Sequence, residues 1–392
     1  MSARKKDFPG WPAFSKQEID AVSGVLASGK VNYWTGDEGR SFEREFADYS
    51  GMPHAIALCN GTVALELALY ALGIGENDEV IVPSRTFIAT ASCVVMRGAR
   101  PVVVDIDPLS QNIDTDCIEA AITPATRAII AVHLGGWPCD MERILNIAKR
   151  HDLYVIEDCA QSHGAEYHGQ PVGSFGDAAA FSFCQDKIMT TGGEGGMLLL
   201  RDEDAWRRAW AFKDHGKDFE LVKRTDHPPG HRWLHSSFGT NWRMTEMQAA
   251  IGRIQLRLLP EWVKKRRAHA QCFADHLKDT PGLSIALPPD DVQSSFYRLY
   301  ACIDTGMLAA AWNQDRIVDE INAAGVPCMH GSCSEIGREQ AFADKGWVMD
   351  ELPVARSAGE TSLALLVHPT LSHDDISVMA QIIDQIMRRA AR

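Results

Sequence analysis

The sequence predicts an α/β fold: a large domain on a mostly parallel seven-stranded sheet, followed by a smaller C-terminal α+β domain. Three observations point there. Between residues 50 and 200, short apolar runs alternate with helix-length segments, the spacing of strand–helix–strand units. Most runs are continuous and rich in Val and Ile, as expected of strands covered on both faces. After about residue 200 the alternation stops, and from about residue 280 strands and helices mix.

In chain order, strands are expected at Ala55–Cys59, Glu79–Pro83, Pro101–Asp107, Ala128–Leu134, Tyr154–Asp158, Ala178–Phe183 and Gly196–Leu200. Helices are expected between them at Thr62–Leu72, Ala89–Arg97 and Met141–His151. Residues 201–240 are polar and contain the turn His227–Gly230, which reads as an ordered loop. Met244–Trp262 reads as a long amphipathic helix, and the basic run Lys264–Arg267 after it as a solvated helix face. The large domain is expected over 1–260 and the small one over 261–392, the boundary falling between about 250 and 282. In the small domain a strand is expected at Phe296–Ile303 and helices at Asp315–Ala324 and Asp374–Arg389.

Composition narrows the function. A chain of 392 residues buries a large core without disulfide or metal staples. The net charge of −13 argues against nucleic acid or an anionic membrane as the main partner. A phosphate-bearing small ligand remains compatible, because a local site can be positive. The first residues include lysines but no apolar stretch, so no secretory signal is expected. No apolar run approaches the roughly 18 residues of a membrane span. The ten cysteines form no CxxC pair and read as reduced thiols of a cytoplasmic protein. Cys328, His330 and Cys333 come nearest to a metal cluster but lack a fourth ligand, so no metal is expected.

Three segments carry chemistry. Asn60-Gly61-Thr62 follows the first strand and opens a helix. Unpaired N–H groups, a close-approaching glycine and a hydroxyl suit a phosphate there; a plain N-cap fits the same residues. Asp158 ends an apolar strand, with Gln161 just beyond, at the carboxyl edge where α/β sheets bind ligands. A strand-end Asp that caps the next turn fits as well. Ser182 and Lys187 follow a later buried strand, before a glycine-rich stretch at 192–196. A lysine placed there loses part of its water and serves as a nucleophile toward an aldehyde; a surface lysine is the plainer reading. Their order is the parts list for pyridoxal phosphate, which needs a phosphate cradle, a carboxylate at the pyridine nitrogen and a lysine for its Schiff base.

Eight segments in order carry a resemblance: NGTVAL (60–65), PSRTFIAT (83–90), PVVVDID (101–107), VHLGG (132–136), EDCAQ (157–161), GSFGD (173–177), FSF (181–183) with Lys187 and GEGG (193–196), and NWRM (241–244) with QAA (248–250). From about Phe14 to about residue 385 the chain resembles the DegT/DnrJ/EryC1/StrS family of sugar aminotransferases, of aspartate-aminotransferase fold type I. The resemblance implies pyridoxal 5′-phosphate as cofactor, L-glutamate as amino donor and a nucleotide-linked ketosugar as acceptor. It makes Lys187 the cofactor lysine and proton shuttle, and Asp158 the partner of the pyridinium nitrogen. Gln161 would lie near the ring's phenolic oxygen. Gly61, Thr62 and Ser182 would hold the phosphate, and Phe87 would stack on the ring. Asn241 would reach the phosphate of a neighbouring subunit, so the sites would belong to a homodimer.

Departures from the family pattern also matter. Asn60 stands where the family has Ser, and Trp34–Asp37 replaces its Gly-Pro. Arg85 is unusual at its place and is expected either to meet a substrate phosphate or carboxylate or to lie on the surface. His330 matches a position where the family has a histidine facing the sugar. Lys213, Lys217 and Arg243 are further candidates for holding substrate anions. Family members that act as dehydratases carry histidine in place of the lysine, so Lys187 favours amino transfer. Amination of a cyclitol ketone and a regulatory protein that holds the cofactor without turnover are the other readings. A dinucleotide oxidoreductase is disfavoured, since no GxGxxG follows the first strand.

Overall fold

Strands form where apolar residues are covered from both sides. The computed structural model describes residues 7–227, 229–347 and 351–392. In it β1 (His54–Leu58), β2 (Glu79–Pro83), β3 (Arg100–Val104), β4 (Thr126–Val132), β5 (Tyr154–Asp158), β6 (Ala178–Ser182) and β7 (Gly196–Leu200) form one sheet of order β1-β7-β6-β5-β4-β2-β3. Pairing is parallel from β6 through β3, and β7 runs antiparallel to both its neighbours. Ile56, Leu58, Ile129, Ile130, Ala131 and Leu198 are fully buried. The helices α1 (Lys16–Ser28), α2 (Glu38–Ser50), α3 (Gly61–Ala71), α4 (Ala89–Met96) and α5 (Met141–His151) pack around this sheet, α3 and α4 in the core of one face and α5 in a core on the other.

The seven strands fall where the apolar runs predict them, with four trimmed C-terminal ends, two of them shortened by more than one residue. The run Pro101–Asp107 stops pairing at Val104, because the Asp105 carboxylate instead accepts the N–H groups of Val354 (3.0 Å) and Ala355 (2.8 Å). The run Ala128–Leu134 stops at Val132, and Leu134–Gly136 form a short 3-10 turn.

The stretch 201–240 departs from the loop expected there. It opens with α6 (Glu203–Lys213), capped by Asp202, whose side chain accepts from Ala205 N (2.8 Å). This helix buries Ala209, Trp210 and the whole of Lys213. The lysine amine sits 3.5 Å from the Glu43 carboxylate and 3.8 Å from the centroid of the Tyr33 ring. A pattern of polar residues hides such a face when its buried cation is matched by distant groups. Residue 228 of the predicted turn, like residues 1–6, lies outside the described residues.

The long helix also departs. α7 (Glu246–Leu277) starts at a capping box made by Thr245 and Gln248 and runs past Trp262, with Pro260 inside it. Lys264 and Lys265 are exposed, as a solvated face predicts. Arg266 and Arg267 are not: Arg266 is 1% exposed and donates from Nη1 to Phe296 O (3.2 Å), and Arg267 donates from Nε to Ser294 O (2.8 Å). Half of the basic run thus holds the segment that leads into the second sheet.

That sheet is antiparallel, of order β8-β9-β11-β10, from β8 (Leu283–Ser284), β9 (Leu299–Ile303), β10 (Cys328–Met329) and β11 (Ser362–Leu365). The second half of α7 packs on it with α8 (Gln314–Ala323) and α9 (His373–Ala390), around Phe273, Leu299, Ile317, Leu363 and Ile383. No helix among the described residues is long and apolar enough to cross a membrane.

Glu157 anchors the sheet edge. It is fully buried, and its carboxylate accepts from Gly173 N (2.7 Å), Phe175 N (2.8 Å), Gly176 N (2.8 Å) and His133 Nε2 (3.1 Å). Burial alone raises this carboxyl; the His133 contact and the backbone N–H groups outweigh it and hold the group below its ordinary value. A depressed carboxyl contributes stability above its unfolded pKa, and that contribution fades as pH falls through the folded value. Glu157→Ala is expected to lower unfolding free energy by about 3–5 kcal/mol at neutral pH, read from the urea midpoint. The gap to wild type should narrow below about pH 4.

Candidate active site

The carboxyl ends of β4, β5 and β6 and the loop after β2 open into a cavity of about 590 Å³, closed on its far side by residues of the second sheet. The position follows from the topology, since parallel strands aim their last residues at one edge.

Asp158 is its deepest charge. The residue is 5% exposed; Oδ2 accepts from Thr90 Oγ1 (3.0 Å) and Oδ1 from Ala160 N (3.1 Å). Burial pushes the carboxyl above its ordinary value, and those hydrogen bonds with the charge of Lys187 offset this only in part. The carboxylate therefore lacks a full positive partner. Thr90 Oγ1 lies 2.9 Å from Thr86 Oγ1, which ties α4 to the loop carrying Phe87. Phe87 is 66% exposed, an apolar ring left standing in the cavity.

Lys187 follows β6 on a loop. Its Nζ lies 4.7 Å from the centroid of the Tyr297 ring, and its carbonyl accepts the indole N–H of Trp11 (2.8 Å). Gln161 lines the cavity too; its Oε1 accepts from Gly135 N (2.7 Å), and its amide nitrogen has no protein partner among the described residues.

The start of α3 also lines the cavity. Asn60 acts as N-cap, its side chain accepting from Val63 N (3.0 Å), so the capping reading holds for that residue. Gly61 and Thr62 form the first turn, with Thr62 exposed. A Cβ on Gly61 would come 2.6 Å from the Ser182 Cβ, so only glycine lets this turn close on β6 and bring the Ser182 hydroxyl beside it. N–H groups, two hydroxyls and the helix dipole converge there as an anion cradle.

The remaining predicted residues lie elsewhere. Asn241 is exposed, pairs by backbone with Asp214, and does not line this chain's cavity. His330 also stays off the lining; Nε2 sits 2.9 Å from Asp315 Oδ1. Arg85 is fully buried, not on the surface: Nε donates to Gln111 Oε1 (2.8 Å) and Nη2 to Ser362 Oγ (2.7 Å). Lys213 pairs with Glu43, and Lys217 and Arg243 both pair with Asp214. The structure adds Thr90, which lies in the PSRTFIAT segment with no role assigned to it there, and Asp186, Tyr297, Arg298 and Tyr300, which the motifs do not single out. Tyr297–Tyr300 arrive from a strand more than a hundred positions away, and only their aromatic density set them apart in the sequence.

This sheet, with a cavity at its carboxyl edge and a second α+β layer closing over it, places the chain among fold type I transferases. The chain belongs to the DegT/DnrJ/EryC1/StrS aminotransferase family, which it matches over residues 12–384. It is similar to the solved aminotransferase of Psychrobacter cryohalolentis, 52% identical with a TM-score of 0.95, over 98% of this chain and 99% of that one. Among curated relatives it is 38% identical to GDP-perosamine synthase of Caulobacter vibrioides, over 90% of this chain and 92% of that protein. It is also 38% identical to UDP-N-acetyl-3-dehydro-alpha-D-glucosamine 3-aminotransferase of Acidithiobacillus ferrooxidans, over 90% and 89%.

Gly61→Ala tests the cradle. The added methyl must push α3 from β6, an overpacking cost of about 1–3 kcal/mol. The expected result is a lower thermal midpoint together with weaker binding of phosphate esters, measured by calorimetry.

Proposed function

We propose that this protein is a pyridoxal 5′-phosphate-dependent transaminase that moves the amino group of L-glutamate onto a nucleotide-linked ketosugar, working as a homodimer. The observation that carries the reading is the under-compensated Asp158 carboxylate facing the same cavity as the Lys187 amine. Membership of an aminotransferase family and the sugar-nucleotide activities of its relatives support it.

The residues fit the cofactor. A protonated ring nitrogen would give Asp158 the positive partner it lacks, and the Gly61–Thr62 turn with Ser182 offers a phosphate cradle in the same cavity. When bound, pyridoxal phosphate supplies an aldehyde and a ring that takes up the electrons freed as the donor's Cα–H bond breaks. Asp158 keeps the ring nitrogen protonated. Lys187 would hold the cofactor through its amine and, with that amine free, would take the proton from the donor Cα on its Nζ and release it to the carbon on the other side of the amino nitrogen. Gln161 offers its amide N–H to the phenolic oxygen, and Phe87 covers one ring face. Asn241 of a second copy completes the phosphate contacts, which agrees with its exposure and its distance from this chain's own cavity. The ketosugar then runs the same proton transfers in reverse. Lys187 favours amino transfer over dehydration, and amination of a cyclitol ketone is the rival acceptor.

The first test is the visible spectrum of the purified protein with and without excess L-glutamate. A band that glutamate bleaches is expected; a band that glutamate leaves unchanged would sink the donor assignment. Turnover is then read with GDP-, UDP- and dTDP-linked ketosugars and a cyclitol ketone. Lys187→Ala should abolish turnover, a loss on the order of 10⁴-fold or more, with the unfolding midpoint little changed. Asp158→Ala should cost on the order of a hundredfold or more, since a neutral ring nitrogen is a poor electron sink.

A further inference from the structure

We propose that Arg298 receives the carboxylate of the amino donor, with Asp186 as its resident counter-ion when no donor is bound. The proposal rests on the transaminase reading above and names the residue that selects its donor.

Arg298 enters the cavity one residue before β9. Among the described residues, Lys187 and Arg298 are the two cationic side chains that line it. The neighbouring cations are committed elsewhere: Lys213 to Glu43, Lys217 and Arg243 to Asp214, Arg85 to Gln111 and Ser362. Arg298 donates an N–H of Nη2 to Asp186 Oδ2 (3.2 Å), and its other close side-chain neighbour is Tyr297, so several of its five N–H groups are left over. Its side chain is 18% exposed, so most of a charged fork is out of water with donors to spare.

Position decides which anion it meets. Lys187 Nζ and Arg298 Cζ each lie 4.7 Å from the centroid of the Tyr297 ring. An amino acid whose Cα is within reach of Lys187 carries its α-carboxylate one bond away, beside that same ring. The diphosphate of a nucleotide sugar is held off from its keto carbon by the width of a sugar ring, so it falls farther from the lysine. A planar guanidinium also matches a carboxylate with two parallel hydrogen bonds.

The cavity has a second problem to solve. It must take a donor with a carboxylate and then an acceptor that has none at that place. An arginine left bare in the second half of the cycle would be a desolvated, unpaired charge. Asp186 prevents this. Its Oδ2 accepts from Arg298 and from the Tyr297 hydroxyl, and it is the chain neighbour of Lys187. Burial raises its carboxyl, but Lys187, Tyr297 and Arg298 outweigh that and keep it below the ordinary value, so it is ionised at neutral pH. A donor carboxylate competes with Asp186 for the guanidinium and hands it back on leaving.

The test is calorimetric titration of the holoenzyme with glutarate, an unreactive dicarboxylate. Arg298→Met should weaken binding on the order of tenfold to a hundredfold. Arg298→Lys should recover part of the loss, because the charge returns without the fork. Asp186→Asn should tighten binding several-fold, since the competing anion is gone. Structural damage to a shared ion pair would weaken binding in both variants, so opposite signs mark the proposed roles. Equal glutarate affinity in wild type and Arg298→Met, or weakening in Asp186→Asn, overturns the proposal. The spectral titration separates the two readings. If glutamate bleaches wild type and Arg298→Met at the same concentration, the carboxylate anchor falls and the transaminase reading stands. If glutamate bleaches neither, while glutarate binding still depends on Arg298, the anchor stands and the transaminase reading falls.

Discussion

Two adjacent carboxylates at the end of β5 set the terms for everything around them. Successive residues of a strand point to opposite faces. Glu157 therefore points away from the cavity and Asp158 into it, and both are buried. Each charge taken out of water must be met locally. Glu157 is met in full, by His133 and three backbone N–H groups, and in meeting it the loop at 173–176 is pinned beneath the sheet. Asp158 is met only in part, by Thr90, the Ala160 N–H and the charge of Lys187. The fully paired acid holds the edge still, so the half-paired one keeps its position for a ligand that brings the missing charge.

The far wall of the cavity is tied to the near one by a buried cation. Arg85 sits on the loop that carries Thr86 and Phe87, yet its donors go to Gln111 and to Ser362 on β11, and its guanidinium lies over the Tyr300 ring. Ser362 in turn donates to His330 O, so the 330–332 turn is held through the same group. Gly331 has to be glycine there. Its φ is +104°, and a Cβ would meet Tyr300 at 2.6 Å and Arg85 Nη2 at 3.0 Å. Burial lowers the pKa of Arg85, and Nη1 has no hydrogen-bond partner among the described residues. The strain is accepted at a point where both layers of the cavity share one residue, which makes their separation costly.

What the sequence made legible follows from how each feature is encoded. Strands buried on both faces write themselves as unbroken apolar runs, so all seven were readable within a few residues. The cradle, Asp158 and Lys187 were readable because they sit at strand ends in a fixed order. Side chains whose environment comes from afar were not. In a linear reading Lys213 is a candidate for substrate anions and Arg266 part of a solvated face, yet one is matched by Glu43 and Tyr33 and the other by carbonyls of Phe296 and Tyr297. Tyr297 and Arg298 carry no motif at all. Their place in the cavity is created by the second sheet folding back over the first, which no local pattern records.

The loop of Lys187 shows how a residue is held and freed at once. Its carbonyl is gripped by the Trp11 indole from the N-terminal segment. Trp11 is itself wedged edge-on against Trp262 of α7 and stacked on His368. Burial first, and the nearby Arg266 charge second, push the His368 pKa down to about 4, so the ring packs as a neutral partner at neutral pH. Thr370 adds a hydrogen bond to Gly10 O (3.0 Å), which ties this N-terminal segment to the chain just before α9. The main chain of Lys187 is thus fixed by contacts from both layers. Among the described residues its amine makes no hydrogen bond or ion pair and lies over the face of Tyr297, a contact that attracts the cation without fixing its direction. The proton transfer proposed for Lys187 calls for that division, with the backbone immobile and the last atoms free to swing.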